Sequence, residues 1–83
     1  MKIRLKTVCP EQLGHLPDGA YEVADGCTAQ EALRACMESA GLQAASPETL
    51  SRLIYLRNSS HIQPDDPLSE GDRLMVLRPL TGG

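Results

Sequence analysis

The chain has 83 residues, which supports one compact domain and excludes two, and a domain of this size buries only about 60 to 65% of the surface that its unfolded chain exposes. Because it contains two Tyr and no Phe or Trp, its core must come from aliphatic residues and Met. A formal charge of -3, without basic runs or aromatic stacking positions, excludes the usual nucleic-acid binders. The alternating N-terminus excludes a signal peptide, so we expect a cytoplasmic protein that binds neither nucleic acid nor membrane.

Residues 2–8 alternate charged and apolar side chains, which predicts a half-buried first strand. A stretch rich in Pro and Gly follows, and residues 20–24 can form a second strand that pairs with the first. Thr28 and Glu31 have the spacing of a capping box, so a helix begins after Thr28 and ends at Gly41 in a left-handed cap. The predicted apolar stripe of this helix comprises Ala29, Leu33, Cys36, Met37 and Ala40.

In the second half, Ser46 followed by Pro47 predicts a short second helix that ends near Arg52. Further strands are predicted at 53–57, 61–63 and 73–80, with a turn at 58–60. The predicted fold is α+β, with a mixed sheet of four to five strands packed on one main helix and a short second helix. We expect a domain over residues 1–80 and a flexible tail at 81–83.

The three cysteines, Cys9, Cys27 and Cys36, are odd in number and lack CxxC spacing, so we expect reduced thiols and no disulfide framework. Cys36 lies on the apolar stripe and should be buried, whereas Cys27 precedes the helix and should be partly exposed. His15 and His61 have no thiol or carboxylate spaced to complete a metal site, so no metal is expected.

Two segments carry a family resemblance. Asp65–Leu74 contains a Pro-Leu pair followed by a Gly-Asp turn, and Pro79–Gly83 closes on Gly-Gly. Both resemble the ubiquitin-like β-grasp sulfur carriers (MoaD/ThiS-like proteins), which are the small subunit of molybdopterin synthase and the thiamine-pathway carrier. Ubiquitin itself is similar in outline through residues 52–55 and 76–78. The resemblance implies a ubiquitin-like β-grasp fold.

The resemblance also implies a protein co-substrate and not an enzyme. In this family, a ubiquitin-activating-type enzyme (MoeB/ThiF-like) uses ATP to adenylate the terminal Gly, here Gly83, and a sulfur donor converts it to a thiocarboxylate. This chain would bind no cofactor, because its partner uses the ATP and the sulfur donor. Gly82 and Gly83 have no Cβ, which suits threading through a narrow channel. The acceptor would be a protein such as the molybdopterin synthase large subunit, and the free chain would be a monomer.

The docking face is expected on the side of the sheet opposite the main helix. Alternation points Met75 and Leu77 outward there, with His61 from the neighbouring strand. Arg78 precedes the tail, where it would either pair with a carboxylate of the activating enzyme or remain a solvated strand-end charge. The expected partner-binding residues are Leu77, Met75, His61, Arg78, Leu80 and Thr81.

Several functions remain open at this point. Chain length and the Pro-Leu-x-x-Gly-Asp run favour molybdenum cofactor synthesis over a thiamine-type carrier, which is usually shorter. The expected docking face lacks the aromatic residues of the molybdopterin synthase subunit, which leaves its partner open. A protein modifier that forms isopeptide bonds from Gly83 to Lys is an alternative, because an amine can capture the same adenylate. A β-grasp interaction module without tail chemistry is another.

Overall fold

The computed structural model describes residues 1–8 and 16–78. Its elements follow in the order β1 (Lys2–Thr7), β2 (Gly19–Glu22), α1 (Ala29–Ser39), α2 (Pro47–Arg52), β3 (Ile54–Arg57), β4 (Ser60–Ile62) and β5 (Arg73–Leu77). The sheet has the strand order β2-β1-β5-β3-β4, with β1 and β5 parallel and the other neighbours antiparallel. This confirms the predicted ubiquitin-like β-grasp fold. Neither helix in the described ranges is long and apolar enough to cross a membrane.

Several strand boundaries differ from the prediction. β1 ends at Thr7 and not at residue 8, β3 begins at Ile54 and not at residue 53, and β4 ends at Ile62 and not at residue 63. β2 begins one residue earlier and ends at Glu22, and β4 begins at Ser60. The β4 start moves because Asn58 and Ser59 have φ angles of 51° and 73° and complete a two-residue hairpin turn by themselves. β5 ends at Leu77, and the last two positions of the predicted strand lie outside the described residues.

Both ends of α1 are fixed by the residues that predict them. The Glu31 N–H donates to the Thr28 hydroxyl at 3.2 Å, and the Thr28 N–H donates to the Glu31 carboxylate at 2.9 Å, so the capping box is complete. At the other end Gly41 has a φ of 76°, and the Leu42 N–H donates to the Met37 carbonyl at 2.9 Å. This closes the helix as a Schellman motif.

The core lies between α1, α2 and the inner face of the sheet. Tyr55 on β3 is fully buried, and its hydroxyl donates to the Leu50 carbonyl of α2 at 2.7 Å. On α1, Ala32 is buried, but Ala40 is exposed because it is the C-cap residue at which the helix ends, so its predicted place in the stripe is wrong. The other buried apolar residues include Ile3, Leu5, Leu16, Ala29, Leu33, Cys36, Met37, Leu68, Leu74 and Val76.

A polar clamp fixes the start of β5. Asp72 is 9% exposed, and its carboxylate accepts hydrogen bonds from the Asn58 side-chain amide at 3.1 Å and from the Ser69 N–H at 2.7 Å. The Arg73 N–H donates to the Asn58 side-chain oxygen at 3.0 Å. The Gly-Asp turn therefore has a structural role, because it sets where β5 enters the sheet.

Candidate functional site

The sheet face turned away from α1 carries the candidate docking residues. On β5, Leu74 and Val76 are buried in the core, whereas Met75 and Leu77 are half-buried on the opposite side, which confirms the predicted alternation. We define the outer face by the residues that share this opposite side. They include Arg4, Lys6, Ile54, Leu56, His61, Arg73, Met75 and Leu77, together with Lys2, Ala20 and Glu22 at the β1–β2 edge.

Four residues of the outer face form an apolar block. Met75 is the register partner of Leu56, and Leu77 is the register partner of Ile54, so two side chains from β5 lie beside two from β3. All four are half-buried. Sequence reasoning missed Ile54 and Leu56, although the run Ile54–Leu56 is apolar on both faces of the predicted strand. Such a strand requires cover on both sides, and this signal could have identified them.

The sequence predicts His61 on the strand next to β5. In the structure it lies one strand further away. β3 separates β4 from β5, and Leu56 is the register partner of both His61 and Met75. The side chains therefore form a row across the sheet, in the order Lys6, Met75, Leu56 and His61. His61 is exposed at the far end of this row, next to an apolar residue and not next to Met75.

The end of β1 borders the apolar block. The Val8 N–H donates to the Val76 carbonyl at 3.0 Å, which continues the parallel pairing beyond Thr7. Val8 is 52% exposed, and it is the exposed large apolar residue of the described chain. Val8 therefore adds exposed apolar surface at the end of β1, next to the strand that carries Met75 and Leu77.

The chain leaves the sheet beside this apolar block. Arg78 follows Leu77 directly and is exposed. The other predicted site residues, Leu80, Thr81, Gly82 and Gly83, lie outside the described residues. The structure thus brings Met75, Leu77 and Arg78 together at the end of β5, on the segment that precedes the predicted tail at 81–83 in the sequence.

The two described thiols are poorly suited to sulfur chemistry. Cys36 is fully buried, and burial raises its pKa to about 12. Burial also raises the pKa of Cys27, and the Glu31 carboxylate adds to this effect. Both thiols are therefore protonated at neutral pH and are weak nucleophiles. Cys9 lies outside the described residues, and within residues 1–8 and 16–78 no three His, Cys, Asp or Glu side chains are grouped closely enough to hold a metal.

Comparisons with known proteins identify relatives in family and fold. The ThiS family model matches residues 11–83. The chain has no significant match among the curated proteins.

Among solved structures, SAMP1 from Haloferax volcanii has a TM-score of 0.61 and 19% identity, with 100% of each chain covered. A second structure, H. volcanii small archaeal modifier protein 1, has a TM-score of 0.60 and 16% identity, covering 95% of this chain and 98% of the other. A protein assigned as molybdopterin converting factor subunit 1 from Pyrococcus furiosus has a TM-score of 0.61 and 16% identity, covering 96% and 99%. At such identities the likeness establishes the fold alone.

Proposed function

The chain belongs to the ThiS family, and from this premise we propose that it is a cytoplasmic sulfur-carrier protein whose working group is the carboxylate of Gly83. It acts as a co-substrate of an ATP-dependent adenylating enzyme. The observation that carries this proposal is the family match, which runs through Gly82 and Gly83 to residue 83. The apolar block on β3 and β5 supports it, because β5 is the last strand before the tail in the sequence and a carrier needs a docking face close to its reactive group.

The chemistry follows from the low reactivity of a carboxylate. An α-carboxyl group has a pKa of about 3.3 to 3.7, so at neutral pH it is an anion that nucleophiles do not attack. A carboxylate oxygen of Gly83 attacks the α-phosphorus of ATP, forming an acyl-adenylate and releasing pyrophosphate. Hydrosulfide then adds to the carbonyl carbon and AMP leaves, which gives the thiocarboxylate. The partner binds the ATP and the sulfur donor, and this chain needs no cofactor of its own.

Docking must offset the cost of ordering the tail. Fixing a residue in one backbone conformation costs about 1 to 2 kcal/mol, and residues 79–83 would all enter the enzyme. Burial of apolar surface contributes about 25 cal/mol per Å² of favourable free energy. The apolar block supplies surface for such burial. Leu80 and Thr81 extend this contact, and the exposed Arg78 pairs with a carboxylate of the adenylating enzyme.

We propose molybdenum cofactor synthesis as the destination of the sulfur, with a molybdopterin synthase large subunit as the acceptor. Two observations favour it. The Pro67-Leu68 pair and the Gly71-Asp72 turn follow the pattern of the small subunit, and a protein assigned as molybdopterin converting factor subunit 1 shares the fold. A thiamine-type or other pathway carrier is the alternative within the same chemistry.

A second function, protein modification, is favoured by the likeness to the small archaeal modifier protein. In that case a target lysine amine, in place of hydrosulfide, attacks the acyl-adenylate of Gly83 and releases AMP. The product is an isopeptide bond. Both functions need the same adenylating enzyme and the same tail, and they differ only in the nucleophile.

The test uses the purified chain with its cognate adenylating enzyme, ATP and sulfide, followed by intact-mass measurement. The carrier function predicts the mass gain that accompanies replacement of one carboxylate oxygen by sulfur, localised to Gly83 by fragmentation. The chain lacking Gly83 is the control and should gain no mass. If the full chain stays unmodified while the enzyme activates another carrier, the proposal is wrong. Branched Lys-Gly-Gly peptides from the native host would instead support the modifier function.

A further inference from the structure

Three cations of the outer face lie together, and among the described residues none of them has an ion-pair partner. Arg4 on β1 and Arg73 on β5 are register partners on adjacent parallel strands, and Lys6 lies two residues beyond Arg4 on the same face. All three are exposed. Across the described residues, none of their side chains forms an ion pair or a hydrogen bond. We call Arg4, Lys6 and Arg73 the basic cluster.

This arrangement is unusual in a chain with a net charge of -3. Like charges on neighbouring strands repel each other and reduce stability, and the chain has enough carboxylates to pair them. The nearby acids of the described residues make other contacts, and none of them forms an ion pair with the basic cluster. Asp18 accepts from the Thr7 N–H, Glu70 accepts from the Lys2 N–H, and Glu22 lies 3.8 Å from the Met1 ammonium. Within residues 1–8 and 16–78, no ion pair therefore offsets the repulsion in the basic cluster.

The basic cluster is continuous with the apolar block. A groove crosses the outer face from β1 to β3, and its lining includes three cations (Arg4, Lys6 and Arg73), one acid (Asp18) and the apolar residues Leu56 and Met75. A nucleic acid would leave Leu56 and Met75 without apolar contact, and the acidic remainder of the chain would repel a polyanion. A protein surface can satisfy both parts, because it can offer carboxylates and apolar side chains side by side.

We propose that the groove docks an acidic protein surface, in which carboxylates pair with the basic cluster and apolar side chains cover Leu56 and Met75. This inference rests on the proposed carrier function, because the adenylating enzyme is taken as the protein that presents the acidic surface. The basic cluster lies toward the start of β5 and Leu77 lies at its end. Two chemically different contacts along one strand orient the domain, so that the tail points in a single direction on the partner.

The test compares two doubly substituted chains that lose the same charge. Arg4→Gln with Arg73→Gln removes cations from the basic cluster, whereas Arg34→Gln with Arg52→Gln removes two from the helices on the other side. Association with the cognate adenylating enzyme is measured at low and high ionic strength. Loss of electrostatic steering should slow association of the first chain by about tenfold or more at low salt and remove most of its salt dependence. The control chain should behave as the unmodified chain does.

Two further measurements distinguish a loss of docking from a loss of folding. Urea unfolding should show the first chain to be as stable as the unmodified chain or more stable, because a repulsion has been removed. Arg4→Lys with Arg73→Lys should retain most of the association rate, because the charge is kept.

Different results would refute the acidic docking surface and the carrier function. Unchanged association of the Gln chain would refute the acidic docking surface, while thiocarboxylate formation at saturating enzyme would still uphold the carrier function. An unmodified chain that binds the enzyme but gains no sulfur would refute the carrier function alone. Equally tight binding of a single-stranded oligonucleotide through Arg4 and Arg73 would show that the basic cluster serves a nucleic acid, which also overturns the acidic docking surface.

Discussion

The side-chain amide of Asn58 donates a hydrogen bond of 3.1 Å to the carboxylate of Asp72, which lies 14 residues further along the chain. The bond joins the β3–β4 turn to the residue before β5. Because β5 leads into the predicted reactive tail, this contact fixes the strand from which the tail departs.

Removal of the Asp72 carboxylate should destabilise the domain. Asp72→Ala leaves the Ser69 N–H and the Asn58 amide without their acceptor in a largely buried position, at a cost of about 1 to 3 kcal/mol. The free energy of unfolding in urea measures this loss. Asp65→Ala, in an exposed loop, is the control and should change stability by no more than about 0.5 kcal/mol. Equal effects of the two substitutions would contradict the clamp.

Glycine at position 59 should stabilise the β3–β4 hairpin. Ser59 has a φ of 73°, in the left-handed region that costs a residue with a side chain about 1 to 2 kcal/mol, and Asn-Gly is the preferred pair for this turn. After the entropy loss of Gly, Ser59→Gly should gain about 0.5 to 1 kcal/mol. Gly41→Ala is the reverse case. Gly41 has a φ of 76°, and an added methyl would meet no neighbouring atom, so this substitution should lower stability only through the strained backbone conformation. A lower urea midpoint for Ser59→Gly, or a higher one for Gly41→Ala, would refute this account of the two positions.

An ion pair at the N-terminus should make stability depend on pH at both ends of the range. The Met1 ammonium lies 2.8 Å from the Asp25 carboxylate, and this contact lowers the pKa of Asp25 below 3.8 and raises the pKa of the ammonium above 8.0. For Asp25 the stabilisation is present above pH 3.8 and is lost as the pH falls below it. For the ammonium it is present below pH 8.0 and is lost as the pH rises above it.

Asp25→Asn tests this pH dependence, since it removes the charge and keeps the shape. Thermal unfolding of both chains should differ most between about pH 4 and pH 8, within the window set by the two pKa values, and the curves should converge outside it. The difference should be small, because the pair is exposed and screened by solvent. A constant difference across the whole range would show that Asp25 acts by some means other than this charge pair.

The two described thiols should react slowly with alkylating agents. In a Cys9→Ser background, iodoacetamide at neutral pH should leave Cys36 unmodified until the domain is unfolded, because the thiol is buried with a pKa of about 12. Cys27 should react more slowly than free cysteine, because burial and Glu31 raise its pKa. Peptide mapping of the alkylated chain measures both rates. Rapid labelling of Cys27 would contradict the environment described here.

The apolar block should matter for activation more than for folding. Leu56→Gln and Leu42→Gln both alter a half-buried leucine, one on the outer face and one beside α1. Both should lower stability, but only Leu56→Gln should reduce kcat/KM for adenylation, by about tenfold for each 1.4 kcal/mol of docking lost. The measurement is ATP–pyrophosphate exchange with the cognate enzyme. A similar reduction by Leu42→Gln would indicate that stability, and not docking, is responsible.

Part of the outer face could be anticipated from the sequence, and the misplacement of His61 has a physical cause. Alternation along β5 correctly separates Met75 from Val76, because neighbouring side chains of a strand must point to opposite faces. The same rule does not identify which strand lies next to β5. Alternation alone therefore predicts His61 beside Met75, whereas in the structure Leu56 lies between them.

The local elements of this protein follow from its sequence because each depends on contacts between near neighbours. The capping box of Thr28, the left-handed cap at Gly41 and the proline at the start of α2 involve residues a few positions apart, which a sequence displays directly. The order of the strands was decided only in the tertiary structure, since it depends on the pairing of segments from opposite ends of the chain. That order creates both the apolar block and the pairing of Arg4 with Arg73, so the docking face belongs to the folded chain and not to any one of its segments.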